Sequence, residues 1–433
     1  MNKFILYFRQ ALHMMKEEKL FSGIYIAGTA LAIAFTMVIV MAYNFRIAPV
    51  YPEVNRGKTC YLNGIVCVDE DSGQKMESAS VSLMIVNKLK ELKSVEAVGT
   101  MLNYQPENYV QKPDGNDEPI YMQFVDDGFF RVYQFDFVEG RPFTHEEWES
   151  NQKMMVLTDV MARKVFGKTE ELVGKTISVD YESYTICGVV KTANVLSFMS
   201  YADAYTCDHS RGYWDLPWGR GSFKVVVLAE DADALKRDFR QMCKTLTLEF
   251  KSRGETWGEI EPRNGGFMTH QEMSLSTGYY ADDFQSNFIY LILTFVALLI
   301  VPVVNLSGII SGRMESRLSE MGVRKAFGAG KAELMLQILT ENFVLTLTGS
   351  LLGLLLAWGV VEFGGLWMLD ALGFSHSTDV NMKDFMATGE MLFAPVVFVA
   401  ALFFCLLINT LAAFLPTWLS LKKPIVESMM EKR

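Results

Sequence analysis

At 433 residues, half of them hydrophobic and with a mean hydropathy of +0.16, the chain is too apolar for an ordinary soluble domain of its size. Its formal net charge of −10 argues against a general nucleic-acid binder, which would carry a basic surface. The cysteines Cys60, Cys67, Cys187, Cys207, Cys243 and Cys405 include no C-x-x-C pair, so neither a zinc framework nor a dense disulfide scaffold fits.

Residues 1–21 read as an N-terminal amphipathic segment carrying Lys3, Arg9, Lys16 and Lys19. Residues 22–44 contain no charge and predict the first membrane-spanning helix, since about 20 apolar residues cross a hydrocarbon core of roughly 30 Å. A cleaved signal peptide is the competing reading. Its apolar stretch would be only about 7–15 residues long, followed by a small-residue cleavage site, and neither holds here.

Residues 45–285 have ordinary soluble composition, enough for one large domain or two small ones. Short strands are expected at 58–68, 95–101, 119–125, 154–158, 175–180 and 184–190, and helices over Ser80–Leu92, Asp159–Phe166 and Asp231 to about Phe250. That order predicts an α+β domain rather than a βαβ repeat. A subdomain is expected at about 195–265. Tyr201, Tyr205, Tyr213, Trp214, Pro217 and Trp218 cluster near its start; they are expected to build a core, the alternative being an exposed partner surface.

Three further spans follow at 286–312, 337–362 and 391–421, separated by a loop at 313–333 and a short segment at 363–390, with a tail at 422–433. A helix buried in a soluble core seldom runs beyond about 14 apolar residues without a charge. Trp358, Trp367 and Trp418 fall near span ends, as interfacial aromatics do, or simply pack. Lys and Arg concentrate in the N-terminal piece, the 313–333 loop and the tail, whereas 363–390 holds only Lys383. The positive-inside rule therefore puts both termini and the 313–333 loop in the cytoplasm, and 45–285 outside. The expected fold class is a membrane α-helical protein of four transmembrane helices with an extracytoplasmic α+β domain inserted between the first and second.

No catalytic, cofactor-binding or metal residues are expected. Gly328-Ala-Gly-Lys-Ala332 resembles a phosphate loop but lacks its first Gly and its Ser/Thr. His145-Glu-Glu-Trp148 lacks the second His of a zinc-protease helix, and Cys207-Asp208-His209 stands alone. Cys60 and Cys67 lie seven apart in the external region, where a disulfide is permitted.

In the 313–333 loop, Met314, Leu318 and Met321 form an apolar stripe, Arg313, Arg317 and Arg324 share another face, and Glu320 can pair with Arg324. Gly328 and Gly330 end the helix. A basic loop that merely fixes topology is the plain reading; an apolar stripe beside a basic face also suits docking into a partner's cleft. Within the spans, Glu341 needs another helix or a polar group. Asn305 and Asn409 suit interhelical hydrogen bonds, and Gly349 with Gly353 forms a small-xxx-small pair.

The run Glu320-Met-Gly-Val-Arg-Lys-Ala-Phe-Gly-Ala329, with Gln337-Ile-Leu-Thr-Glu341, the Gly349/Gly353 span and Pro416–Pro424, resembles the FtsX-like permease domain of the MacB/FtsX/LolC superfamily of ABC transporter permeases. Phe129–Phe143, Phe166-Gly167, Val173-Gly-Lys175 and Tyr184–Val190 are similar to the MacB-type periplasmic core domain. The resemblance covers nearly the whole chain. It implies an inner-membrane permease, its large domain periplasmic, that couples ATP hydrolysis in a separate ATPase subunit to external motion by mechanotransmission. A second permease would complete a homo- or heterodimer, and a periplasmic adaptor and outer-membrane channel are further expected partners. Because the chain starts about 20 residues before its first span, the ATPase is expected on another polypeptide. The coupling interface would be Arg317, Glu320, Met321, Gly322, Arg324, Lys325, Phe327 and Gly328. The expected work is export or extraction of an amphipathic peptide, lipoprotein or drug. The alternative is an FtsX-type signalling module acting on a cell-wall hydrolase or sensor.

Overall fold

The computed structural model describes residues 3–275 apart from 70, 104–106, 113–114, 194–196, 198, 211–212, 217 and 255–256, then residues 318–371 and isolated helical positions between 289 and 418. The chain divides into two units. One comprises Met1–Asn44, Ile289–Ser375 and Asn381–Arg433; the other comprises Phe45–Phe288 and His376–Val380.

In the α+β unit, alternating and continuous apolar runs supply three sheets. The first is antiparallel, in the order β15 (Phe267–Thr269), β1 (Thr59–Leu62), β13 (Phe223–Leu228), β4 (Ala97–Leu102). The second runs β6 (Asp117–Ile120), β5 (Asn108–Gln111), β10 (Thr176–Val179), β11 (Glu182–Val190), β9 (Met154–Thr158), β12 (Ala204–Thr206), β7 (Met122–Phe124). Its β8 (Phe137–Gly140) shares one edge of β11 with β10: β10 pairs residues 182–185 and β8 pairs 188–190. This sheet is mixed, with parallel β9–β11 and β7–β12 pairs. The third sheet is β14 (Glu259–Pro262), β2 (Ile65–Val68), β3 (Lys75–Ser78).

The expected single strand over 58–68 is in fact two strands in two sheets. Gly64 separates β1 from β2 at φ +117°, and a Cβ there would lie 2.0 Å from the Ser78 carbonyl oxygen. Only glycine allows that approach. The run at 119–125 divides likewise, at Tyr121, between β6 and β7. Residues 195–265 contribute β12, β13 and β14, one strand to each sheet.

Among the described residues six helices complete this unit: α3 (Leu83–Lys90), α4 (Phe129–Val132), α5 (His145–Glu149), α6 (Asp159–Phe166), α7 (Ala232–Arg253) and α8 (His270–Leu275). Each of the first turns of α3, α6 and α7 is capped by a side-chain oxygen, from Ser82, Thr158 and Asp231. Thr144 and Glu147 form a full capping box on α5. Helix α7 buries Leu235, Phe239, Met242, Cys243, Leu246 and Phe250, a stripe at helical spacing that packs on β14 and β15.

The described part of the helical unit contains α1 (Lys3–Glu17), α2 (Lys19–Ile47), α9 (Leu318–Ala326) and α10 (Lys331–Ala371). Segments Lys19–Ile39 and Lys331–Val360 are long and apolar enough to cross a bilayer. Their polar residues face inward, as with Ser22, Thr29, Thr346 and Ser350, while Leu31, Phe35, Leu351 and Leu355 face outward. Water would favour the reverse arrangement; lipid favours this one. Helix α10 continues past 362 to Ala371. The expected spans at 286–312 and 391–421 lie outside the described residues except at isolated positions; Arg313, Arg317, Asn305 and Asn409 lie wholly outside.

Candidate functional site

The corner between α9 and α10 gathers most of the residues singled out from sequence. The described part of α9 runs from Leu318 to Ala326. It ends at Ala326; Gly328 then adopts φ +92°, and Ala329 N–H donates to the Arg324 carbonyl at 3.0 Å. The amides of Glu333 and Leu334 turn back to the Gly330 carbonyl, starting α10.

Side chains make a second connection. Arg324 donates from one terminal nitrogen to Glu320 Oε1 at 2.7 Å and from the other to Gln337 Oε1 at 2.8 Å. Gln337 Nε2 then donates to Glu341 Oε1 at 3.2 Å. Glu341 is 1% exposed and Gln337 is also buried. A carboxylate this deep in a span needs polar neighbours, and the amide of Gln337 is one.

Beside Arg324, α9 presents exposed apolar side chains: Phe327, three residues after Arg324, is 89% exposed, and Val323 is exposed one turn before it. Gly322 is buried. Met321 and Lys325 have described backbones only. Gln337, central to the arrangement, was not among the expected coupling or packing residues; its i, i+4 spacing to Glu341 was the available signal.

Below this corner, Leu334, Ile338 and Leu345 of α10 pack with Tyr25 of α2, whose hydroxyl is 3.0 Å from Thr346 Oγ1. Gly349 and Gly353 lie directly against α2. A Cβ on Gly349 would stand 2.8 Å from Thr29 Cβ; one on Gly353 would stand 2.6 Å from the Ala30 carbonyl oxygen.

In the external unit, the expected aromatic cluster divides. Tyr205 is buried, Tyr201 stacks on Tyr121 and Trp218 on Trp257, whereas Tyr213 and Trp214 are exposed; Pro217 lies outside the described residues. Cys207, Asp208 and His209 turn to different partners: Cys207 Sγ to the Gln152 carbonyl, Asp208 to the Tyr184 hydroxyl, and His209 Nδ1 to the Cys207 carbonyl. Cys60 and Cys67 are both free, on strands of different sheets. Burial pushes the Cys60 thiol up to about 11 and those of Cys67, Cys187, Cys207 and Cys243 up to about 12, so all five stay protonated and unreactive at neutral pH.

Sequence reasoning also passed over a buried ion pair just past α2. Arg56 Nε donates to Glu53 Oε2 at 2.8 Å, and Glu53 Oε1 accepts from Ser200 Oγ at 2.8 Å. On α5, His145 Nδ1 lies 2.9 Å from Asp127 Oδ1. Burial would raise the Asp127 carboxyl, but the hydrogen bonds from His145 and Arg131 outweigh it and hold the group below its usual range.

A model of the MacB-like periplasmic core domain matches residues 22–241, and a model of the FtsX-like permease C-terminal region matches residues 288–425. YknZ of Bacillus subtilis, described as an uncharacterised ABC transporter permease, is 23% identical over 300 residues, covering 67% of this chain and 70% of that protein. A macrolide export ATP-binding/permease protein, MacB 1 of Yersinia pestis, is 23% identical over 244 residues; the match covers 54% of this chain and 34% of that protein. Among solved structures, the extracellular domain of YknZ aligns with TM-score 0.34 at 21% identity, over 48% of this chain and all of that one. The periplasmic region of MacB from Actinobacillus actinomycetemcomitans aligns with TM-score 0.34 at 14% identity, over 51% and 94%. Lipid-length helices joined to a large extracytoplasmic α+β domain define the class, an inner-membrane permease of the ABC type. The chain belongs to the MacB/FtsX-like permease superfamily.

Proposed function

We propose that this chain is the membrane subunit of an ABC transporter whose ATPase is a separate polypeptide, and that α9 is the element resting on that ATPase from the cytoplasmic side. Glu320, Met321, Gly322, Lys325, Phe327 and Gly328 would lie at or beside the contact, with Arg317 just before the helix. A second permease, identical or paralogous, would complete the complex. Nucleotide-driven closure of the ATPases would shift α9, move the spanning helices and so drive the external domain. The work is export or extraction of an amphipathic peptide, lipoprotein or drug by mechanotransmission, with a periplasmic adaptor and outer-membrane channel as further partners.

The observation that carries this reading is Phe327. A phenylalanine 89% exposed at the end of α9, just before a left-handed glycine, is costly to leave in water unless a partner covers it. Coexpression with a tagged ABC ATPase subunit from the same genome tests it. Phe327→Asp should abolish co-purification from detergent, while Tyr181→Asp, equally exposed on the external unit, should not. Full recovery of the Phe327→Asp complex would remove α9 as the docking element.

A further inference from the structure

The connection between α9 and α10 contains Gly328 in the left-handed region and Gly330 with open space around its Cα. Glycines bend at low cost, so beyond the bond from the Ala329 amide to the Arg324 carbonyl the link itself passes little torque. Yet any push on α9 must reach α10 to have an effect. The geometry points to the side-chain chain Glu320–Arg324–Gln337–Glu341 as the rigid part of that connection, and to Arg324 as an internal positioning residue rather than a contact to the ATPase. This inference rests on the reading of α9 as a docking element and divides its residues by task.

Three observations carry it. Arg324, itself partly exposed, engages both terminal nitrogens with side chains of this chain, Glu320 and Gln337. A guanidinium held at two points, one on each helix, has its orientation fixed. Second, the chain does not stop at the surface: Gln337 hands on to Glu341, which is buried nearly completely. A hydrogen bond in such low-dielectric surroundings resists being broken, because each separated group would be left buried without a partner. Third, the exposed residues beside it are chemically different. Val323 and Phe327, one turn apart and flanking Arg324, are both exposed and apolar, so a partner can be held there by apolar contact that makes no demand on the hydrogen bonds of the polar chain. Rotation of α9 about the glycine link would pull Arg324 from Gln337, so α9 and α10 move as one body while the chain is intact.

The test uses the permease–ATPase complex in nanodiscs, scoring two quantities: co-purification of the ATPase, and the change in ATP hydrolysis rate that the permease imposes on it. Arg324→Ala and Gln337→Leu should keep co-purification and lose that rate change by roughly tenfold, the scale of a typical coupling free energy. The pair Gln337→Glu with Glu341→Gln, which preserves an acceptor for Arg324 and an amide–carboxylate contact, should restore most of it. Arg324→Gln, the milder change, should fall between. Loss of co-purification in Arg324→Ala, alongside loss in Phe327→Asp, would make Arg324 a docking residue and overturn the inference while leaving the docking reading intact. Unaltered rate control in Gln337→Leu would overturn it as well. Retained co-purification in Phe327→Asp would instead count against docking through α9.

Discussion

Asp126 shows how one buried group sets a pH dependence. Its Oδ1 accepts the amides of Thr100 at 2.7 Å and Phe129 at 3.0 Å, tying β4 to the start of α4. Its Oδ2 has no hydrogen-bond donor, and Lys90 Nζ lies 3.6 Å away. Burial pushes the carboxyl up to about 6; Lys90 pulls it down, and Asp127 adds a small push upward. The folded state therefore holds this proton more tightly than the unfolded chain, where an Asp titrates near pH 3.9. Its stabilisation is fully present below that unfolded value and is lost as pH rises through about 6. Asp126→Asn keeps the Oδ1 acceptor and removes the titration. The stability difference between parent and variant should move by about 2 kcal/mol in the parent's favour between pH 7 and pH 4. Denaturant titrations of the full chain in detergent, followed by tryptophan fluorescence, measure it. A difference that stays flat with pH would refute the burial argument. Nothing in the sequence distinguished Asp126 from its neighbour Asp127: Asp127 pairs with Arg131 four residues on and with His145 of α5, whereas Asp126 is buried against Thr100 of β4 and Lys90 of α3, contacts that no local period reveals.

At the scale of elements, the packing of α2 on α10 depends on two glycines. A methyl group on Gly353 would press on the Ala30 carbonyl, a backbone atom that cannot swing aside, and on Ile33. Gly359, six residues further along the same helix, has nothing within 4 Å of an added Cβ. Gly353→Ala should cost about 1–3 kcal/mol through overpacking, whereas Gly359→Ala should be neutral or gain about 0.5–1 kcal/mol by lowering the entropy of the unfolded helix. Thermal unfolding of the two variants in one detergent compares them directly, and equal behaviour would mean that α2 and α10 do not pack as described. Their small-xxx-small spacing was legible from sequence because both glycines lie on one helix face. So was the α7 stripe, and so were the bounds of α6 and β9, where the local pattern and the tertiary environment agree. The Gly64 break was not legible: it depends on Ser78, fourteen residues away, crossing at backbone distance. The bond from Arg324 to Gln337 was hidden for the same reason. It spans thirteen residues across a glycine turn, and no helical or strand period connects such positions.

At the scale of the whole molecule, everything proposed for α9 requires the charge pattern to have placed it opposite the external domain. The 45–285 region is far longer than the short loops whose Lys and Arg set orientation, so its own 26 Lys and Arg do not hold it in the cytoplasm. The segments flanking the spans hold most of the remaining basic residues. Two positions report the two sides with little structural cost. Tyr181, at the β10–β11 turn, is 88% exposed, and Phe327 is 89% exposed. The five described native cysteines are buried, and thiols pushed up to about 11 or 12 carry almost no thiolate at neutral pH. With Cys405→Ser in the background, a membrane-impermeant maleimide should therefore modify Tyr181→Cys once it has access to the outer face of the inner membrane. Phe327→Cys should stay unmodified until that membrane is opened. Modification of both at the same stage would put α9 and the external sheets on one side of the bilayer. No ATPase bound to α9 in the cytosol could then move the domain beyond it, whatever the fate of Arg324 and its neighbours.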